Sequence, residues 1–142
     1  MEKQVRVGVG VIIVKPSGSI LLGKRTGAHG EGEWSLPGGH LEWRESFEDC
    51  CRREIKEETD IDIVDEIRPI SFTNDIFDKE DLHYVTLFFW TKVLENVEAK
   101  IMESDKCLEW RWCRLGCELP DPLFTPLDHL LKVDGVRDII LS

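Results

Sequence analysis

The sequence predicts an α/β protein with the layout of a three-layer α/β/α sandwich, and three observations carry the prediction. A run rich in valine and isoleucine, residues 5–14, opens the chain as a strand. A capped amphipathic run from Phe47 to Thr59 reads as a helix. Two further long strand-like runs then precede another strand and a second helical run. At 142 residues and 42% hydrophobic, the chain is expected to form one domain, residues 1–142, long enough to bury a core.

The elements follow in order. The first strand carries glycines at 8 and 10, and Pro16-Ser17-Gly18 turns it into a second strand, residues 20–24. Residues 26–33, with glycines at 27, 30 and 32, read as a mobile loop. Residues 34–36 form a short strand, and Leu36-Pro37-Gly38-Gly39 marks a turn before the helix. Ser46 can cap that helix, with Glu48 and Asp49 in the first turn, where acids suit the helix dipole. The helix stops near Thr59-Asp60, because Asp tolerates, less readily than Gly, the left-handed conformation that closes many helices. Residues 61–74 and 83–94 read as long strands around an Asp/Lys-rich hairpin, residues 75–81. Residues 108–114 form another strand and residues 123–133 a second helix.

The densest chemistry lies between Gly39 and Ile61. On a helix of about 100° per residue, Glu54 and Glu58 fall roughly 20° to either side of Phe47, and Glu57 lies roughly 80° away. Cys51 and Ile55 share that half, while Asp49, Arg52, Arg53 and Lys56 take the opposite half. Acids that were merely solvated would sit opposite the apolar stripe. Here other residues supply the polar face, and the three glutamates lean toward the protein body. Converging carboxylates repel one another unless something positive lies between them. Mg²⁺ prefers oxygen ligands and keeps several waters, which suits such a cluster facing a cleft. The pattern points to a divalent-metal site for phosphate chemistry, with Glu54, Glu57 and Glu58 as ligands.

The run Gly39-x5-Glu45-x7-Arg53-Glu54-Ile55-x-Glu57-Glu58-x-Asp60-Ile61 resembles the Nudix box, the signature of the Nudix hydrolase superfamily. One position departs: Asp60 stands where the family usually has glycine, which concerns the end of the helix rather than the ligands. Leu21-Leu22-Gly23-Lys24-Arg25, the run from Trp34 to Glu42, His83-Tyr84-Val85, residues 103–107, Trp110-Arg111-Trp112 and residues 119–124 are similar to one subgroup, the small MutT-like nucleoside triphosphate diphosphatases. Together the resemblance covers residues 5–130.

The resemblance implies the Nudix fold, with a mixed sheet. It implies Mg²⁺ as cofactor, Mn²⁺ being the alternative, held by Glu54, Glu57, Glu58 and the Gly38 carbonyl. The implied reaction is hydrolysis of a nucleoside triphosphate to the monophosphate and pyrophosphate, with oxidised purines such as 8-oxo-dGTP among the substrates and upkeep of the nucleotide pool as the task. Arg53 and Glu45 read as an ion pair that orients the ligating glutamates. The general base stays open between Glu54, Glu57 and a carboxylate from the loop holding Glu103 and Asp105. Asp105 replaces the subgroup's glutamate and reaches about 1.5 Å less far; it is either a ligand or base, or a solvated loop residue. A homodimer is expected by analogy. Two other readings keep the fold: a diphosphatase for a prenyl diphosphate, nucleotide sugar or pterin triphosphate, and a silent nucleotide-sensing module. No box glutamate is missing, which weighs against the last.

The net charge of −10 argues against broad nucleic-acid binding, which needs a basic face. A small-molecule nucleotide must instead meet locally placed cations. Lys24 and Arg25 are the candidates, the arginine lying near the phosphates by resemblance; the alternative is an ordinary solvated strand end. Trp34, Phe88, Phe89 and Phe124 are either base-stacking or core residues, and Phe88 and Phe89 must face opposite ways. His40 contacts phosphate or ribose, or is an ordinary loop histidine. Trp110 and Trp112 share a strand face and read as packing residues or a dimer contact. The five cysteines lack paired CxxC spacing and read as small reduced core residues. No apolar run approaches the ~20 residues of a membrane span, and the start, MEKQVRVG, is no signal peptide. A cytoplasmic protein without a membrane partner is expected.

Overall fold

The computed structural model describes residues 2–27 and 29–142, so Met1 and Ala28, the latter inside the loop expected over 26–33, lie outside the described residues. Seven strands form one mixed sheet: β1 (Val5–Val14), β2 (Ser19–Arg25), β3 (Trp34–Ser35), β4 (Gly38–His40), β5 (Arg68–Phe77), β6 (Leu82–Lys92) and β7 (Cys107–Arg114). Its order is β3-β2-β1-β6-β5, with β4 beside β1 and β7 beside β2. β1 and β6 run parallel from Val5↔His83 to Val14↔Lys92, and the other pairs are antiparallel.

Helix α1 (Phe47–Thr59) covers one face, and α2 (Thr125–Leu131) and α3 (Val136–Leu141) cover the other. β1 serves both cores. Val9, Val11 and Ile13 pack with Cys50, Cys51 and Ile55 of α1, whereas Ile12 and Val14 join Leu127, Leu130 and Ile140 beneath α2 and α3. Burial on both faces is why the second half of β1, from Val11 to Val14, is continuously apolar instead of alternating.

The caps of α1 follow the sequence. The Asp49 N–H donates to Ser46 Oγ at 3.1 Å, and Asp60, with φ of 63°, closes the helix and donates its N–H to Lys56 O. Elsewhere the boundaries shift. β5 begins at Arg68, not residue 61, because Ile61, Ile63 and Ile67 descend into the α1-side core as irregular chain. It then continues to Phe77, so the hairpin turn shrinks to residues 78–81. Gly38–His40 is a strand where a turn was expected, registered on β1 through Gly8↔His40 and Gly10↔Gly38. α2 is shorter than expected, and α3 was not foreseen. The loop after β2 is tied down by bonds from Arg25 N–H to Glu33 O and from Thr26 N–H to Lys106 O. Of the cysteines, Cys50, Cys51 and Cys113 are buried, but Cys107 is half-buried and Cys117 is exposed, so the core reading fails for those two.

Candidate active site

The site begins at two glycines. A Cβ at Gly38 would stand 1.9 Å from the Val9 carbonyl oxygen, and one at Gly39 would stand 2.1 Å from the Glu54 carboxylate. At Gly38 the clash is with backbone, so only glycine lets β4 lie against β1; at Gly39 a Cβ would push the Glu54 carboxylate off the strand. The α1 side chains then depend on Arg53. Its Nε and Nη2 donate to the two Glu45 oxygens at 2.7 and 3.0 Å, and Nη1 donates to Glu54 at 2.7 Å and, at 3.4 Å, to Glu57. Nη2 also reaches His40 O at 3.1 Å, which ties the helix back to β4. A planar guanidinium can hold several acceptors in this forked way, whereas an ammonium cannot.

The charges are unequally satisfied. The Arg53 hydrogen bond pulls the Glu45 carboxyl down to about 2. Burial raises Glu54 despite Arg53. Burial, and then the charges of Glu54 and Glu103, push Glu58 up to about 8. Glu58 is thus a half-buried acid whose surroundings are negative, and Lys106 opposes only part of that field. Among the described residues no group of three or more His, Cys, Asp or Glu is gathered closely enough to hold a metal as it stands. Glu54, Glu58 and Glu103 nevertheless fit a hard cation. They are oxygen donors on one cleft wall, and their mutual repulsion is what a divalent ion relieves.

The cleft has a volume of about 420 Å³. Glu54, Glu58, Glu103 and Lys106 line one side. The same cleft holds an aromatic cluster, where Phe77 and Phe124 stack at 5.7 Å and His29 meets both edge-on, at 4.5 and 5.3 Å. The Arg25 guanidinium lies 4.0 Å over the Phe124 ring and donates Nε to His29 O. Burial lowers the Arg25 pKa, with Glu58 acting against that. His40 Nε2 and Tyr84 Oη are 2.9 Å apart, and desolvation lowers the His40 pKa. Gly8, Gly10 and Phe88 form the floor.

The NUDIX domain family matches residues 4–131. This chain belongs to that family. It is 33% identical over 108 residues to the nucleoside triphosphatase NudI of Escherichia coli O139:H28 (strain E24377A / ETEC), a match covering 69% of this chain and 76% of that protein. It is also similar to the crystal structure of a MutT NUDIX hydrolase from Burkholderia pseudomallei, with a TM-score of 0.81 and 32% identity over 92% of this chain and 99% of that one. The NUDIX domain of Shewanella oneidensis NrtR, solved with ADP ribose, shares the fold at a TM-score of 0.77 and 21% identity, over 98% and 90% of the two chains. The protein is a Nudix hydrolase with the mixed α/β architecture of that family.

Of the residues singled out in the sequence, this Nudix hydrolase brings Lys24, Arg25, Gly38, His40, Glu54, Glu58 and Phe124 to one cleft. Phe88 faces the cleft and Phe89 faces α1, its ring 5.9 Å from Phe47. Three placements need correction. Trp34 is buried in the core under α2 and α3, with Arg111 at 4.5 Å over its ring, because β3 turns that side inward. Asp105 is exposed in the turn before β7, and Glu103 takes the cleft position instead. Glu57 is exposed and bound to Arg53, so only two box glutamates lean inward, and Arg53 lies on their side of the helix. Sequence reasoning missed His29, Phe77, Tyr84 and Lys106. Tyr84 carried a usable signal, since it shares a strand face with Phe88 at alternating positions.

Proposed function

We propose that this protein, as a single Nudix domain, hydrolyses nucleoside triphosphates to the monophosphate and pyrophosphate with Mg²⁺, or Mn²⁺ in its place. The carrying observation is the pairing of half-buried, mutually repelling Glu54 and Glu58 with a cluster of aromatic rings lining the same cleft. The metal would be held by Glu54 and Glu58 with the Gly38 carbonyl, and by Glu57 once released from Arg53. When bound, it neutralises phosphate charge and acidifies a water. Arg53, held by Glu45, orients the ligating glutamates. Arg25 and Lys24 meet the phosphates, and the base packs against the aromatic cluster of Phe124, Phe77 and Tyr84, with His40 toward the sugar. Glu103 takes the place first given to Asp105 as a candidate base, beside Glu54 and Glu57. The similarity to NudI, a nucleoside triphosphatase, supports the triphosphate class. Oxidised purines such as 8-oxo-dGTP, nucleotide-pool upkeep, a cytoplasmic setting and a homodimer complete the reading. No helix is long and apolar enough to cross a membrane.

The test is pyrophosphate release with Mg²⁺ across normal and oxidised (d)NTPs, a nucleotide sugar and geranyl diphosphate. Turnover of a triphosphate is expected. Glu58→Gln and Glu103→Gln should each lose more than about 100-fold while remaining folded, and Asp105→Ala should stay within about twofold of wild type. Cleavage confined to geranyl diphosphate or the nucleotide sugar would overturn the substrate class, and full activity of Glu58→Gln would overturn the metal assignment.

A further inference from the structure

α1 covers only part of its face of the sheet. Odd-numbered residues of β1 and β6 point to that face, and the register sets Phe72, Asn74 and Ile76 of β5 beside Leu87, Val85 and His83 of β6, which in turn lie beside Val9, Val7 and Val5 of β1. Helix cover ends at Phe47, whose ring stands over Phe89, one row from Leu87 and Phe72. Beyond that line the apolar side chains are bare: Val5 is 54% exposed, Val7 37%, Phe72 67% and Ile76 66%. β5 is also the edge of the sheet, so nothing from this chain continues the layer on that side.

We propose that this bare face, centred on Val7, Phe72, Ile76 and Val85, is the contact of a two-fold homodimer, so that its occupant is a second copy of this chain. The inference rests on the homodimer proposed above and names its surface. Three observations favour a second copy. First, the nine positions of the three rows contain no carboxylate, in a chain with 28 acidic residues and a net charge of −10. An isologous contact sets each patch against itself, so the acids that would repel across the axis must be missing from it. A strongly acidic molecule also makes an anionic lipid surface an unsuitable partner. Second, the two polar side chains of the face are paired with one another, His83 Nε2 and Asn74 Oδ1 lying 2.6 Å apart. Covering them therefore adds little desolvation cost. Third, the size is right. With Phe47 the exposed apolar side chains expose on the order of 500 Å², about the non-polar share of the ~800 Å² each partner buries in a stable interface.

The experiment is sedimentation velocity of the whole protein at micromolar concentration, without metal or nucleotide, so its outcome is independent of the catalytic reading. Wild type should sediment at about twice the 16.4 kDa chain mass. Phe72→Glu, or Ile76→Lys if the first variant fails to fold, should weaken self-association at least ~100-fold, with the circular dichroism spectrum unchanged. Both side chains are largely exposed, so neither change hollows the core. A wild-type monomer overturns the homodimer and this face together. A dimer that survives both substitutions overturns the face alone.

Discussion

The Arg53 guanidinium donates to Glu45, Glu54, Glu57 and His40 O, and Glu45 takes two of its bonds. That pair gives a pH prediction. Because Arg53 holds the Glu45 carboxyl at about 2, below its ordinary value, the folded protein favours the ionised form. The stabilisation is fully present above about pH 4.5 and is lost as pH falls toward 2. Glu45→Gln should therefore melt a few degrees below wild type at pH 7, and the gap should close between about pH 4.5 and 2; thermal melts followed by circular dichroism across that range check both parts. A gap that persists at pH 2 would show that the residue acts by packing. Much at this scale was legible beforehand. The spacing of Glu54, Glu57 and Glu58 and the role of Ser46 depend on a period within one helix. Trp34 and Asp105 stayed open between two readings for the opposite reason: which way β3 turns, and which acid of the 103–105 loop reaches the cleft, depend on residues far away in the chain.

Among the elements, α1 tests how a helix ends without its usual glycine. Asp60 takes a left-handed φ of 63°, unfavourable for any residue with a Cβ, but it is held by Lys56 at 2.9 Å and Lys100 at 3.3 Å. Asp60→Gly relieves the backbone and removes two exposed ion pairs, so the effects offset. Its melting temperature should move by no more than a few degrees and its turnover should stay within about twofold of wild type. α2 is held differently. His129 Nδ1 lies 2.6 Å from Oδ1 of the buried Asp75 on β5, and the other Asp75 oxygen has no partner among the described residues. Since α2 carries Pro126 and Leu127 into the cleft just after Phe124, the bond fixes the distance between the aromatic cluster and the sheet. His129→Ala strips a buried carboxylate of its partner and should cost about 1–3 kcal/mol by chemical denaturation, with KM raised more than kcat is lowered. Neither this clasp nor α3 was visible in the sequence. A six-residue helix has too few turns to show a period, and a His–Asp contact across 54 residues leaves no local trace. β4 escaped for a related reason, since three residues around a double glycine look like a turn until β1 is laid beside them.

The whole molecule resolves its charge problem by segregation. Its acids crowd one cleft wall and the outer surface, while the bare sheet face beyond α1 holds none. The fold class and the box helix were readable because both follow from element types in sequence. The sheet order was not, since it needs the parallel joining of β1 to β6, and that pairing has a consequence in time. Val5 finds its neighbour His83 only after 78 more residues have been made, a delay of roughly 4 to 16 s at 5–20 residues per second. Until then the earliest strand waits with its longest edge open, although α1 and every glutamate of the box have already been synthesised. A chain stopped before residue 82 would own the complete signature and have no cleft toward which to turn it.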